Sequence, residues 1–233
     1  MSKEKVVLIP GTLCDERLWQ HQIETLKNIA HVTVADISQS DSIKEMASAI
    51  LEEVQGEFSL AGLSMGGMVS LEITRQAGKR IRRLALLDTN PYPPTEEQKQ
   101  TFQKYIDLCK AGFFEDITPT YLLPNLIHPS KLKDNHIRKL IIDMALNIGP
   151  ESYIRQLTAL MNRSGSLDIL AGISCPTLVL TGRDDRLCSL TLHEKMAERI
   201  PKSKLVVIEE CGHLSTIEKG ECVTSYLLEW LQK

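Results

Sequence analysis

Two kinds of apolar pattern alternate along the chain. Short runs rich in valine, leucine and isoleucine have the length of β-strands, and longer runs repeat apolar positions every three or four residues, as amphipathic helices do. The fourth strand-like run is apolar at nearly every position, which is expected when both faces of a sheet are covered. In chain order the predicted strands are KVVLIPG, HVTVADIS, FSLAGLS, IRRLALLDT, CPTLVLTG and KLVVIEECG.

Helical periodicity fills most of the gaps between these strands. Gly78 is a predicted helix end, since glycine is the favoured residue just past a helix. Strand and helix alternation at this spacing predicts an α/β fold: a mostly parallel sheet, right-handed crossovers and helices on both faces. The predicted helices are LWQHQIETLKNIA, SIKEMASAILEEV, MGGMVSLEITRQAG, a segment from about Leu190 to Arg199, and ECVTSYLLEWLQ.

The strand pattern is absent between Pro91 and about Leu170, where helix-like segments are separated by prolines and by Gly149-Pro150. An all-helical insertion before the last two strands is expected to form a cap over the carboxyl edge of the sheet. Open α/β sheets bind their ligands at that edge. The predicted division is therefore a core of residues 1–90 and 171–233 and a helical cap of residues 91–170.

Charge and composition narrow the classes of function. The net charge of the 233 residues is −3, with no basic run, so no attraction to nucleic acid is expected. The first apolar run stops at Pro10, too early for an export signal or for membrane insertion. Six scattered cysteines without paired spacing are typical of free thiols. These features predict a cytoplasmic protein with a small-molecule partner, and they leave the oligomeric state open.

The stretch GLSMG, residues 62–66, lies where a predicted strand meets a predicted helix. At such a turn the serine backbone is strained, and the residues two before and two after it crowd together, so both need to be glycine. The turn holds the Ser64 hydroxyl exposed at the carboxyl edge of the sheet. The pattern therefore predicts a nucleophile elbow with Ser64 as the nucleophile.

A serine hydroxyl needs a base to become a good nucleophile. Among six histidines, His213 is the one that follows the final strand and precedes the final helix, at the same edge as Ser64. His193 falls within a predicted helix, where an isolated histidine is expected at the surface. We therefore predict His213 as the base.

A third residue must orient that imidazole and stabilise its charged form. Asp184 and Asp185 both follow the strand before the His213 strand. Asp88 also lies at the carboxyl end of a strand and competes with them. The residues alone leave these alternatives open.

Acyl transfer also requires backbone N–H groups directed at the developing oxyanion. The residue after the nucleophile, Met65, supplies one. The other is expected from the loop after the first strand, where Thr12 is the first choice and Leu13 the alternative.

Taken together, these motifs resemble those of the α/β-hydrolase superfamily over nearly the whole chain. GLSMGG is similar to its nucleophile elbow, TGRDD to its Gly-x-x-Asp acid loop and GHLSTIEKGE to its histidine segment. The chain looks most like small capped carboxylesterases grouped with pimeloyl-carrier-protein methyl esterase.

The resemblance implies a choice among the aspartates. The family acid is the aspartate three residues after the glycine, which is Asp185, and Asp88 is then structural. The family often has histidine in the oxyanion loop where this chain has Pro10, and proline after the acid where this chain has RLCSL.

The motifs and the resemblance together predict a serine hydrolase that cleaves a carboxylic ester of a small or medium acyl group through an acyl-serine intermediate. The alternatives are a C–C hydrolase, a lyase or an acyltransferase that uses the same triad, and a ligand-binding receptor with little turnover, because a fold does not fix a function. No cofactor and no metal are expected.

Two further patterns each have two interpretations. Cys14, Cys188 and Cys211 fall in loops near the predicted site and with His213 could form a tetrahedral zinc site, but such cysteines are more often small apolar fillers. An apolar stripe in the predicted cap either packs the cap onto the core or lines an acyl pocket. Its members are Phe102, Tyr105, Ile106, Cys109 and Phe113.

Overall fold

A computed structural model describes residues 3–232. Its centre is a six-stranded parallel sheet in the order β2-β1-β3-β4-β5-β6, so the predicted α/β fold is confirmed. The strands are β1 (Glu4–Ile9), β2 (Ala30–Val34), β3 (Phe58–Leu63), β4 (Ile81–Leu87), β5 (Thr177–Gly182) and β6 (Ser203–Ile208).

Helices cover both faces of the sheet and surround it. The third helix ends where predicted, but Gly78 has φ −54° and continues into a 3-10 turn rather than adopting the left-handed conformation common after helices. The helices are α1 (Gln20–Leu26), α2 (Ile43–Glu53), α3 (Met65–Ala77), α4 (Glu96–Lys110), α5 (Phe114–Ile117), α6 (Leu123–Leu126), α7 (Asn135–Asn162), α8 (Leu167–Leu170), α9 (Leu190–Arg199), α10 (Ser215–Glu218) and α11 (Gly220–Leu231).

The sheet separates two apolar layers. One face packs against α1 and α11, with Trp19, Leu227 and Trp230 buried between them. The opposite face packs against α2, α3 and α9, where Ile50 and Met196 are buried. Because both faces are covered, β3 and β5 are buried at every position.

The parallel register brings the predicted site loops to one edge. Leu63 at the end of β3 pairs with Leu87 at the end of β4, and Gly182 of β5 pairs with Ile208 of β6. The residues that follow these strands therefore lie side by side at the carboxyl edge, which is the edge where such sheets bind ligands.

The segment between β4 and β5, here called the insertion (residues 91–170), contains helices α4 to α8. Gly149, with φ +79° and ψ 167°, breaks α7 into two helices, at the separation that the sequence predicts. The two ends of the insertion meet, since the Ser166 N–H donates to the Pro91 carbonyl at 2.7 Å. Its role as a separate cap domain stays a prediction, and residues 1, 2 and 233 of the predicted core lie outside the described part.

The helices of residues 3–232 include none that is both long enough and apolar enough to cross a lipid bilayer.

Candidate active site

Ser64 occupies the turn between β3 and α3 with φ +56° and ψ −117°. This is the left-handed region, which is strained for any residue with a Cβ atom. Its N–H donates to the Leu87 carbonyl at 2.9 Å, which fixes the turn to the neighbouring strand. The strained turn predicted from GLSMG is therefore present.

The flanking glycines are required by close backbone contacts. A Cβ atom on Gly62 would lie 2.2 Å from the Gly66 carbonyl oxygen, and one on Gly66 would lie 2.2 Å from the Ile9 carbonyl oxygen. Neither contact can be relieved by moving a side chain, because the opposing atoms belong to backbone. The spacing Gly-x-Ser-x-Gly therefore allows β1, β3 and α3 to approach closely enough to form the turn.

We expect Gly66→Ala to lower the free energy of unfolding by about 2–4 kcal/mol, because a methyl group there overlaps backbone. Gly78→Ala is the matched control: its Cβ would lie 3.8 Å from Thr74 Cγ2, and φ is already negative. There the substitution should stabilise the chain by about 0.4–1 kcal/mol. Urea denaturation measures both, and equal effects for the two variants would contradict the close-contact explanation.

Thr89 and His193 form a hydrogen-bonded chain that holds the backbone of the turn at Ser64. Thr89 Oγ1 donates to the Ser64 carbonyl at 2.6 Å, and the Thr89 N–H donates to His193 Nε2 at 3.0 Å. A Cβ on Gly67 would lie 2.5 Å from Thr89 Oγ1, so the third glycine of the motif admits this threonine.

The expectation that His193 lies at the surface is wrong, since its side chain is fully buried. Burial lowers its pKa, which favours the neutral ring whose Nε2 accepts a hydrogen bond. The sequence signal for burial was available, because His193, Met196 and Ile200 form one buried helical stripe.

His213 joins Ser64 to Asp185 through its two ring nitrogens. His213 Nε2 lies 2.8 Å from Ser64 Oγ, and His213 Nδ1 lies 2.8 Å from Asp185 Oδ2. The second carboxylate oxygen of Asp185 accepts the N–H groups of Leu187 and Cys188 at 2.8 and 2.9 Å. The three predicted side chains therefore form one continuous hydrogen-bonded chain.

The other two candidate acids lie elsewhere. Asp184 is exposed, with its carboxylate 3.7 Å from His128 Nε2. Asp88 is buried and accepts the Gly182 N–H at 3.0 Å and the Ser215 hydroxyl, which ties the acid loop to the histidine segment. Burial, assisted by the charge of Asp185, raises the pKa of Asp88 to about 8.

The loop after β1 lies close to the serine, since a Cβ atom on Gly11 would lie 3.4 Å from Ser64 Cβ. Leu13 has φ +58°, and its N–H donates to Gln156 Oε1 at 3.0 Å. The alternative oxyanion donor is thus already bonded, which leaves the N–H of Thr12. Met65 is the first residue of α3, so no carbonyl group within the helix accepts its N–H. That donor is therefore available to a ligand.

Two side chains that hold this region in position have no signal in the sequence. Gln156 is a fully buried polar residue of α7 that fixes the Leu13 amide. Glu218 accepts the N–H of Gly212 at 3.0 Å and the N–H of His128 at 2.7 Å, which links the histidine segment to the insertion. The contacts of Gln156 with Leu13 and of Glu218 with His128 join segments 143 and 90 positions apart, so local patterns do not reveal them.

A cavity of about 490 Å³ opens above Ser64 between the sheet edge and the insertion. Phe102 and Tyr105 of the predicted apolar stripe line it. Ile106 and Cys109 are buried within the insertion, whereas Phe113 lies beyond the end of α4 and is 54% exposed. Phe102 and Tyr105 therefore agree with the pocket interpretation, Ile106 and Cys109 pack mainly inside the insertion, and Phe113 fits neither interpretation. Other apolar residues of the cavity wall include Leu122, Leu126, Ile141, Tyr153, Leu157, Leu160 and Leu214.

The zinc alternative does not match the cysteine positions. Within the part of the chain that the structure describes, the cluster with metal-ligand spacing consists of Asp185, Cys188 and His213, without Cys14 or Cys211. Both ring nitrogens of His213 are already bonded, and burial raises the pKa of the Cys188 thiol well above its ordinary value. His213 and Asp185 bond each other, and Cys188 contributes its backbone N–H to Asp185. The absence of a metal and of a cofactor stays a prediction.

Comparison with known proteins gives relatives along nearly the whole chain. The Hydrolase_4 family, described as serine aminopeptidase S33, matches residues 27–220. A pimeloyl-[acyl-carrier protein] methyl ester esterase from Vibrio campbellii is 24% identical, over 93% of this chain and 90% of the relative. An (E)-2-((N-methylformamido)methylene)succinate hydrolase from Acinetobacter baylyi is 25% identical, over 98% of this chain and 90% of the relative.

Solved structures agree with these relatives. A thermophilic esterase from Thermogutta terrifontis, with malate bound, superposes with a TM-score of 0.90 at 29% identity, covering 99% of this chain and 90% of the esterase. The family match spans most of the chain, and the fold agrees with that of the superposed esterase. The chain therefore belongs to the Hydrolase_4 family of α/β-hydrolases, and it is a hydrolase.

Proposed function

We propose that the chain is a serine hydrolase that cleaves a carboxylic ester of a small or medium acyl group through an acyl-serine intermediate. The observation that carries this proposal is the hydrogen-bonded chain from Ser64 through His213 to Asp185, of which Ser64 and His213 line the cavity. A hydroxyl, a base and an orienting carboxylate at 2.8 Å spacing are the arrangement that activates a serine.

Each residue has a definite task in this reaction. His213 takes the Ser64 proton as Oγ attacks the ester carbonyl, and Asp185 stabilises the resulting imidazolium. The N–H groups of Met65 and Thr12 stabilise the oxyanion. His213 then gives its proton to the leaving alcohol, and a water molecule, deprotonated by the same imidazole, releases the acid and restores the serine hydroxyl.

The cavity supports an acyl group of limited size. Its wall above Ser64 is formed largely by aliphatic and aromatic side chains of the insertion, and its volume is about 490 Å³. Apolar walls with a few directed polar groups are typical of small-molecule sites. The relatives named as an ester esterase and an esterase are consistent with an ester as the substrate.

The proposal is tested by treating the purified protein with a fluorophosphonate probe and measuring its intact mass, beside hydrolysis of p-nitrophenyl acetate, butyrate, octanoate and palmitate. We expect a single adduct and turnover that is highest on acetate to octanoate. A folded protein that takes no adduct and hydrolyses none of the esters would overturn the proposal in favour of a ligand-binding role. Adduct formation without ester turnover would favour one of the other triad reactions.

The pH dependence of kcat/KM should report His213. Burial alone would lower the pKa of His213, but the charge and hydrogen bond of Asp185 outweigh it, so the pKa lies above its ordinary value of about 6.5. The base works only when neutral, and a raised pKa keeps it protonated to higher pH. Activity should therefore rise with pH with a midpoint above about 6.5. Initial rates on p-nitrophenyl butyrate across the acid range measure this midpoint, and full activity retained well below it would contradict the assignment.

A further inference from the structure

Arg163, which follows α7, carries a buried guanidinium. Its side chain is only 9% exposed. Nη1 donates to the Leu160 carbonyl at 2.9 Å and Nη2 to the Tyr92 carbonyl at 3.2 Å, while Nε is buried and has no acceptor among residues 3–232. A guanidinium has five N–H donors, so most of its hydrogen-bonding capacity is unused.

The charge of Arg163 also lacks a partner. No ion pair joins it to any carboxylate in the described range, and burial lowers its pKa, as expected for an uncompensated cation. Arg83, whose side chain is 14% exposed, differs in this respect, because it pairs with Glu4 at 2.7 Å. Burying a charge without a counter-ion is costly, so an anionic group bound in the cavity would offset that cost.

The position of Arg163 indicates what completes it. The residue lines the same cavity as Ser64 and His213. Asn90 lines the same cavity and uses its side-chain oxygen to accept the Tyr92 N–H at 2.9 Å. The acidic residue of the wall, Glu97, is exposed in the first turn of α4. Among the described residues of the cavity wall, Arg163 is the only lysine or arginine, and its polar neighbours there, such as Asn90, Asn125 and Thr118, are uncharged.

We propose that Arg163 binds a carboxylate carried by the substrate, so that the preferred substrates are monoesters of small dicarboxylic acids. This inference rests on the proposed ester hydrolysis and adds the substrate class. The planar fork of a guanidinium matches a carboxylate with two parallel hydrogen bonds. Such a substrate supplies the missing counter-charge while its ester carbonyl lies at Ser64.

A purely structural role for Arg163 makes a different prediction. Its bonds to Tyr92 and Leu160 join the two ends of the insertion. If that were its whole function, its loss would impair all substrates alike. The informative quantity is therefore a ratio: kcat/KM on monomethyl glutarate divided by kcat/KM on methyl pentanoate, which has a similar length but no charge.

We expect the wild-type ratio to exceed 1 by about 10- to 100-fold, and Arg163→Gln to reduce it by a similar factor. Arg163→Lys keeps the charge without the fork and should retain an intermediate ratio. Arg75→Gln is the matched control, since Arg75 also bonds the base of the insertion, at the Gly165 carbonyl, but does not line the cavity. It should leave the ratio unchanged.

A wild-type ratio near 1, or an unchanged ratio in Arg163→Gln, would overturn the inference while leaving ester hydrolysis intact. The proposed function itself fails only if wild type hydrolyses neither ester and takes no fluorophosphonate adduct.

If Arg163→Gln does not fold, a protection experiment on the wild-type protein tests the inference instead. Glutarate should slow fluorophosphonate labelling of Ser64 at concentrations where 1,5-pentanediol does not. Equal protection by both compounds would overturn the inference.

Discussion

Ser64→Ala should lower kcat/KM on p-nitrophenyl butyrate by at least about 10⁴-fold and abolish the fluorophosphonate adduct. The substitution removes the Oγ atom that lies 2.8 Å from His213 Nε2. It keeps a Cβ atom at φ +56°, so the backbone strain of the turn is unchanged. The loss is therefore expected without a large change in the unfolding temperature.

His213→Ala is the companion to this variant. It leaves the hydroxyl and removes its base, so we expect a similar loss of turnover and a greatly slowed adduct at Ser64, because residues that act as one unit are not additive. Activity retained by a folded Ser64→Ala variant would identify another nucleophile and contradict the mechanism. Cys188, which also lines the cavity, would then be the candidate nucleophile.

Asp185→Asn is expected to lower kcat by about 10³- to 10⁴-fold. Its Oδ1 could still accept the N–H groups of Leu187 and Cys188. The amide N–H₂ would then face His213 Nδ1 and force the imidazole into the tautomer whose Nε2 carries a proton. That tautomer cannot accept the Ser64 proton, so the base is lost while the geometry is kept.

Asp184→Asn is the control for this variant, because it changes a neighbouring carboxylate that is exposed and near His128 instead. It should change kcat by less than about threefold, as expected for a surface pair. Steady-state kinetics on p-nitrophenyl butyrate, with circular dichroism to verify folding, compares the two variants. If Asp185→Asn were active and Asp88→Asn were not, the acid would be Asp88.

The sheet and the positions of Ser64, His213 and Asp185 could be predicted because each depends on local sequence. Strand and helix periods fix the element order, and parallel strands bring their carboxyl ends to one edge. The pattern GLSMG indicates the close backbone contacts of the turn directly, because a side chain at residue 62 or 66 would overlap backbone atoms. The choice between Asp184 and Asp185 needed the family resemblance.

The remaining features depend on contacts between distant segments. Gln156 reaches Leu13 across 143 positions, and His193 reaches Thr89 across 104. The lack of a counter-ion at Arg163 is visible only when every neighbour is known. Gln156, His193 and Arg163 are polar residues, and from sequence alone a polar residue is expected to be exposed to solvent. Their burial and their partners therefore could not be predicted.

The closed base of the insertion has a consequence for how such a chain can diversify. Its ends meet at Pro91 and Ser166, and the strands it joins, β4 and β5, are immediate neighbours. The entropy of closing a loop grows only slowly with its length, so segments of different length can be exchanged here at small cost. Selection can thus replace the walls of the cavity while Ser64, Asp185 and His213 stay anchored to the sheet. Arg163 lies close to the point where the two ends of the insertion meet. An exchange of the whole insertion would replace Arg163, whereas an exchange that ends before residue 163 would keep it.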